Sequence, residues 1–158
     1  MNYATYASEL YDLPAVETSA AQAWSGLRVE RYQLAPGGVP AHFHAQHLLL
    51  IHQGDQAVHS YRSSGNRVEE GLFRCNDAGL YPAGEYEPFA WYGPADIIHL
   101  HVDPEWLETL ARQSLDLVRF NLRERFQFED GLLPYQVGSC WRRPGVSMRS
   151  GNSTRSRL

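Results

Sequence analysis

Three histidines stand close together in the stretch PGGVPAHFHAQHLLLIHQGDQ, residues 36–56. His42 and His44 are two residues apart, so on an extended segment both imidazoles point to the same face. Two imidazoles on one face form half of a site for a transition metal, and His47 and Glu87 could complete three or four ligands around an open position. The alternative, which we favour, places the pair at the lip of a β-barrel, where hydrogen bonds satisfy it without a metal.

A second histidine pair, His99 and His101, also shares one face of a predicted strand. The residues that alternate with the pair are aliphatic: Ile98, Leu100 and Val102. The aliphatic set is the better candidate for the core, so we expect the two histidines to face outward or to lie under the element that follows. His52 and His59 are expected at the surface.

The chain is rich in aromatic residues that could form either a core or a ligand pocket. The set comprises Trp24, Tyr32, Tyr61, Tyr81, Tyr86, Trp91 and Tyr92. Core packing is the commoner use of such rings; if a pocket exists, Tyr81 and Trp91 are its first candidates. Glu85 and Glu87 share a strand face, and we expect two solvated acids unless Glu87 meets His42.

The positions of these residues depend on short strands that fill residues 27–102. Apolar and polar residues alternate with period two, Gly and Pro separate the runs, and Gly65-Asn66 predicts a hairpin. Such spacing predicts an antiparallel sandwich or barrel. Asp103 as N-cap and Pro104 at the first helical position predict a helix over 104–114. Residues 119–133 fit a helix in part, although Phe126 and Phe128 alternate as in a strand.

Two short segments carry a resemblance to the cupin motifs. The first motif is matched by Gly37, by His42-Phe-His44 and by Gly54, with His47 standing where a Glu is usual. In the second, PAGEYE (82–87), Glu87 replaces the usual histidine. The segment therefore resembles a cupin in which Glu and His are exchanged between two metal positions.

Residues 26–133 also look like the N-terminal domain of AraC-type transcriptional regulators. The matching stretches are PAHFHAQHLLLIHQGDQ, GLYPAGEYEPFAW, IIHLHVDPEWLETLA and RFNLRERFQFEDGLL. The resemblance implies a jelly-roll cupin barrel that binds a small-molecule effector, followed by helices that mediate a homodimer. The family's C-terminal helix-turn-helix motifs are absent, so direct DNA binding by this chain is not expected.

Composition limits the setting of the protein. All 14 basic residues are arginine, and residues 1–140 hold all 18 acidic residues but only nine arginines, a balance that repels nucleic acid. No apolar run is long enough to cross a membrane and no export signal begins the chain, so we expect a cytoplasmic protein. Cys75 and Cys140 are expected to be reduced thiols, and Cys75 is expected to be inert.

The sequence therefore predicts a mostly β, cupin-type jelly roll with C-terminal helices, in four segments. These are an N-terminal arm (1–25), the barrel (26–102), a helical dimerisation or capping segment (103–133) and a disordered basic tail (134–158). We expect a sensing domain that binds its effector through His42, His44, Tyr81, Glu87 and Trp91, that is not an enzyme and that needs no cofactor. The rival is a metal-dependent dioxygenase or isomerase that holds Zn, Fe, Mn, Cu or Ni through His42, His44, His47 and Glu87.

Overall fold

A computed structural model of the chain describes residues 1–132, and its frame is eight antiparallel strands. In chain order they are β3 (Leu27–Leu34), β4 (Gly37–Val39), β6 (His47–His52), β7 (Val58–Ser64), β8 (Arg67–Phe73), β9 (Asp77–Tyr81), β11 (Phe89–Trp91) and β12 (Ala95–Val102). The strands pair as nested hairpins, β3 with β12, β4 with β11, β6 with β9 and β7 with β8. Pairing of the first strand with the last, and of the second with the next-to-last, is the topology of a jelly roll. The predicted mostly β, cupin-type fold is confirmed.

The nested pairs lie in two facing sheets, closed at one end by three short strands. The larger sheet has the order β13-β9-β6-β12-β3-β2, where β2 is Glu17–Thr18 and β13 is Arg125–Glu129; the smaller has the order β4-β11-β7-β8. Between them β5 (His42–His44) is flanked by β1 (Asn2–Ala4) and β10 (Gly84–Tyr86). Strand β4 lies in a Gly- and Pro-containing stretch, where Gly37–Val39 extends to pair with β11.

Both faces of the larger sheet carry buried residues. The lumen cluster contains Ala7, Tyr32, Leu34, Val39, Val58, Trp91, Ala95 and Ile97, and the opposite face contains Val29, Ile51, Ala78 and Ile98. The predicted hairpin is confirmed, with Ser64 opposite Arg67 across a two-residue turn. Gly65 takes a φ of +58°, as the first central position of such a turn requires.

The N-terminal arm is part of the barrel. Strand β1 pairs in parallel with β5, so that Asn2 lies opposite His42 and Ala4 opposite His44. The one-turn helix α1 (Ser8–Tyr11) follows, and Ala7 and Leu10 pack into the lumen cluster. The arm thereby covers the end of the barrel that holds β5.

The segment after the barrel is only partly helical. Helix α2 (Pro104–Leu115) confirms the prediction, and the Asp103 carboxylate accepts a hydrogen bond from the Trp106 N–H at 2.8 Å. The expectation of a helical segment up to residue 133 is wrong for residues 125–129, which form β13 on the edge of β9. The Phe126-Gln127-Phe128 alternation prevails, because pairing there satisfies the backbone groups of β9.

In the part of the chain that the structure describes, no helix is long and apolar enough to cross a membrane. Residue 133 and the expected basic tail at 134–158 lie outside the described residues.

Candidate functional site

A cavity lies in the lumen, beneath α1 and beside β5. Its lining is mainly aliphatic and aromatic: Ala7, Leu10, Tyr11, Val39, His42, His44, Leu48, Leu50, Arg62, Tyr81, Tyr86, Glu87, Phe89 and Trp91. All five residues expected to bind an effector are in this lining. The cavity has a volume of about 70 Å³. One water needs roughly 10–15 Å³, so there is room for several waters or for a small molecule.

His42 and His44 present the same ring nitrogen to the interior. Strand β5 buries both imidazoles on one side, as the His-x-His spacing predicts. The Nδ1–H of His42 donates to the Pro40 carbonyl at 2.8 Å, and the Nδ1–H of His44 donates to the Gln46 carbonyl at 2.7 Å. A carbonyl can only accept, so Nδ1 carries the proton and, in the neutral ring, Nε2 keeps a lone pair. Burial is the main reason that the pKa of His44 is lowered.

His47 is not brought together with the other expected metal ligands. Its neighbours Leu48 and Leu50 on β6 face the cavity, whereas the Nδ1 of His47 accepts a hydrogen bond from the Ala83 N–H at 2.9 Å. A neutral His47 therefore carries its proton on Nε2 and has no free lone pair. The motif comparison gave His47 the place of the usual Glu ligand. That position lies on the face of β6 that points away from the cavity.

The remaining expected residues form the walls and rim of the cavity. The Tyr81 hydroxyl donates to the Phe126 carbonyl at 2.9 Å, and the Trp91 ring N–H donates to the Ala35 carbonyl at 2.7 Å, so both rings are fixed. Glu87 is exposed at the rim of the cavity and does not bond His42. His42 instead stacks on Tyr86, with ring centroids 5.9 Å apart.

Arg62 contributes a buried positive charge that the sequence did not single out. Its guanidinium donates to Glu69 on β8 and to Glu124, which precedes β13. Its side chain is 7% exposed, and the ring centres of Tyr81 and Tyr86 lie 5.9 and 5.8 Å from its guanidinium carbon. The sequence did contain a signal for Arg62. Residues two apart on a strand share a face, so Arg62 faces inward together with Val58 and Ser60.

The second histidine pair faces the lumen, whereas we expected it to face outward or to lie under the element that follows. His99 and His101 are 0% and 1% exposed, and His101 stacks on His44 with ring centroids 5.6 Å apart. The outer face of β12 carries the buried Ile98 and the half-buried Leu100 and Val102, so apolar alternation could not identify the inner face. His52, expected at the surface, is also buried and bonds the Gln56 carbonyl, whereas His59 is exposed as expected.

The four residues that the rival enzyme hypothesis uses as metal ligands are not all brought together. His42 and His44 each offer a free Nε2, which suits a metal, but His47 is turned away and Glu87 lies at the rim. Among residues 1–132, no three His, Cys, Asp or Glu side chains converge closely enough to hold an ion as they stand.

Comparisons with known proteins returned structures but no sequence family. No family model and no curated protein matches the chain. A Streptomyces albus HEPD with 2-hydroxyethylphosphonate and Fe(II) bound is 14% identical, with a TM-score of 0.41 over 71% of this chain. Oxalate decarboxylases from Bacillus subtilis and Lactobacillus farciminis are 15% and 14% identical, with TM-scores of 0.39 and 0.41 over 66% and 68% of it. The matches cover 23%, 34% and 38% of those three proteins, respectively.

Proposed function

We propose that the barrel binds a small molecule in the lumen and acts as the sensing domain of an AraC-type regulator. The observation that carries the binding proposal is the cavity itself: an aromatic wall with two imidazoles, His42 and His44, whose Nδ1–H groups are bound to backbone carbonyls. Apolar pockets with a few fixed polar groups are typical of small-molecule sites. A molecule with a flat or apolar body and a hydroxyl or N–H group would match the Nε2 atoms of these rings.

The regulatory part of the proposal rests on how the cavity connects to the end of the described chain. Tyr81 and Arg62 both line the cavity. Tyr81 bonds the Phe126 carbonyl within β13, and Arg62 bonds Glu124, the residue just before that strand. A ligand that contacts either side chain changes the free energy of that docking. Such a differential contact is what a ligand needs to shift a conformational equilibrium.

Thermal unfolding with a panel of monocyclic aromatic and sugar-sized compounds tests the binding proposal. A compound present at 100 times its Kd stabilises the folded state by about 2.7 kcal/mol, so true ligands raise the Tm measurably. The shift should disappear in His42→Gln and persist in His59→Gln, which changes an exposed imidazole outside the cavity. A panel without any hit, or hits that both variants retain equally, would contradict binding at this site.

A metal-dependent cupin enzyme is the second candidate. The observation in its favour is that the backbone carbonyls of Pro40 and Gln46 fix His42 and His44 as ligand-ready imidazoles, an arrangement common behind metal-bound histidines. Elemental analysis of protein purified without added metal separates the candidates. A stoichiometric transition metal that is lost in His42→Gln favours the enzyme, and metal-free protein that binds a small molecule favours the sensor.

A further inference from the structure

A second, larger cavity lies between the N-terminal arm and the first turn of α2. Its volume is about 360 Å³, compared with about 70 Å³ for the lumen cavity. Polar and aromatic side chains line it, among them Tyr6, Trp24, Arg28, Gln46, Asp103 and Trp106. No described residue lines both cavities, so the two are separate places for a ligand.

Arg28 brings an uncommitted guanidinium to this cavity. Its guanidinium carbon lies 3.7 Å from the centroid of the Tyr6 ring, so the planar group is stacked on an aromatic face. Nη1 of Arg28 lies 3.8 Å from Oε1 of Glu30, which is too far for a hydrogen bond. Within the described part of the chain no hydrogen bond engages the guanidinium. Its fork of N–H donors is therefore free to bind a carboxylate through two parallel hydrogen bonds.

Asp103 brings a negative charge to the same face of the sheet. Arg28 lies opposite His101 across the β3–β12 pair, and Asp103 follows His101 by two residues on extended backbone. Cross-strand partners, and residues two apart on a strand, share a face, and strand geometry puts the Cα atoms of Arg28 and Asp103 roughly 8 Å apart. Oδ1 of Asp103 caps α2, whereas Oδ2 has no hydrogen-bond partner among residues 1–132. A cation and an anion thus stand close enough to contact one small molecule.

Two indole rings supply the apolar part of the lining. The Trp106 ring packs directly on Gly26, where a Cβ would lie 2.1 Å from Cγ of Trp106 and where the backbone φ is +71°. Only glycine permits this close approach. Trp24 is 40% exposed, and neither indole N–H bonds another residue that the structure describes. The rings can therefore stack on a flat or apolar group and can also donate hydrogen bonds.

We propose that this second cavity binds a free α-amino acid. A simple anion would be attracted by Arg28 but repelled by Asp103 and Glu30, and a simple cation would meet the reverse. A zwitterion is attracted by both charges, with its carboxylate on Arg28 and its ammonium on Asp103. A flat or apolar side chain would lie against Trp24 and Trp106. This proposal does not depend on whether the lumen cavity binds an effector.

Calorimetric titration of the full-length protein with L-phenylalanine, L-tryptophan and L-leucine tests the proposal. We expect saturable binding, and each amino acid is compared with its own amine and its own deaminated acid, such as phenethylamine and 3-phenylpropanoate. Both analogues should bind at least tenfold more weakly, because hydrogen bonds to charged groups contribute about tenfold or more each. Equal binding of either analogue, or no saturable binding of any of the three amino acids at millimolar concentration, would overturn the proposal.

Two charge variants separate the roles of the ion pair. Arg28→Gln should weaken amino-acid binding at least tenfold, whereas Arg67→Gln, which removes an exposed arginine at the start of β8, should not. Asp103→Asn keeps a residue that caps helices well and removes only the charge. It should weaken binding of the amino acid but not of the deaminated acid. Unchanged amino-acid affinity in Arg28→Gln or in Asp103→Asn would contradict the proposed site.

Indole N–H signals in ¹⁵N–¹H spectra locate the site in the wild type, even if a variant does not fold. The signals of Trp24 and Trp106 should shift when the amino acid is added. The signal of Trp91 should not, because its N–H is bonded to the Ala35 carbonyl beside the lumen cavity. A shift of the Trp91 signal alone would place the amino acid in the lumen and overturn the proposal.

Discussion

At the scale of single residues, the protonation of the lumen imidazoles decides what the cavity can bind. The His-x-His spacing correctly predicts that His42 and His44 share an inward face. It could not predict the carbonyls of Pro40 and Gln46 that fix their tautomers, because those contacts depend on how the chain turns at each end of β5. Nor could it show that His47, only three residues beyond His44, belongs to the opposite face of β6.

The buried histidines predict that stability falls in mild acid. Burial and nearby His44 lower the pKa of His99 to about 3, and burial also lowers the pKa values of His44 and His101. The unfolded chain, with histidine pKa values near 6.5, therefore binds more protons than the folded chain between these values. The free energy of unfolding should decrease as the pH falls below 6.5, by up to about 1.4 kcal/mol per pH unit for each such histidine.

Urea unfolding of metal-free protein at pH 7, 6 and 5 measures this slope. The titratable groups around His99 are Tyr11, Tyr32, His44 and His101, and the buried Glu30 lies opposite it on β3. His99→Gln should reduce the slope by the share of one histidine, while His59→Gln should leave it unchanged. A free energy of unfolding that stays constant from pH 7 to pH 5 would show that the rings are hydrated.

At the scale of elements, the sequence predicted strands more reliably than the faces they bury. Period-two alternation identifies an inner face only when the other face is wet, and the outer face of β12 carries the apolar Ile98, Leu100 and Val102. Its histidines were therefore not assigned to the lumen. Strand β13 was difficult for a different reason, because its residues fit both helical spacing and strand alternation. It forms a strand because it pairs with the open edge of β9, which the sequence does not reveal.

The close approach of β13 to β9 predicts a specific sensitivity at Gly79. A Cβ there would lie 2.7 Å from the Tyr81 ring and 2.9 Å from the Phe126 carbonyl oxygen, so the strands would have to move apart. Gly79→Ala should lower the free energy of unfolding by about 1–3 kcal/mol. Gly93→Ala is the matched control, because its nearest neighbour would be the Val58 side chain at 3.9 Å.

Thermal or urea unfolding of the two glycine variants gives the comparison. Gly93→Ala should be neutral or slightly stabilising, since alanine restricts the unfolded chain. If Gly79→Ala is as stable as Gly93→Ala, the packing of β13 described here is incorrect. The proposed coupling between the cavity and residues 124–129 would then have no structural support.

At the scale of the whole molecule, turn spacing was sufficient to predict the jelly roll. Short strands separated by Gly and Pro, with no helix among them, leave antiparallel sheets as the packing solution. The contribution of the N-terminal arm was not predictable, because β1 reads as a polar, irregular segment and becomes a strand only beside β5. The same holds for Glu30, which lies on a strand but acquires its histidine neighbours through the β3–β12 register.

The regulator proposal requires two copies of the chain, and α2 offers an apolar surface for that contact. Leu110 is 40% exposed near the middle of the helix. Light scattering should give twice the 18.0 kDa mass of one chain, and Leu110→Arg should shift the protein to monomer. Arg112→Ala, on the far side of the same helix, should not. A wild type that is monomeric at micromolar concentration would contradict the regulator proposal.

The most direct test of the account is the tautomeric state of His42 and His44, because ligand binding in the cavity requires that their Nε2 atoms be free to accept a hydrogen bond. Long-range ¹⁵N–¹H correlation spectra of metal-free protein at pH 7 distinguish the two neutral tautomers and the imidazolium. We expect the neutral rings of His42 and His44 to carry the proton on Nδ1 and to leave Nε2 unprotonated, because Nδ1 of each ring is bound to a backbone carbonyl. Spectra that place the proton on Nε2 of both rings would contradict the account.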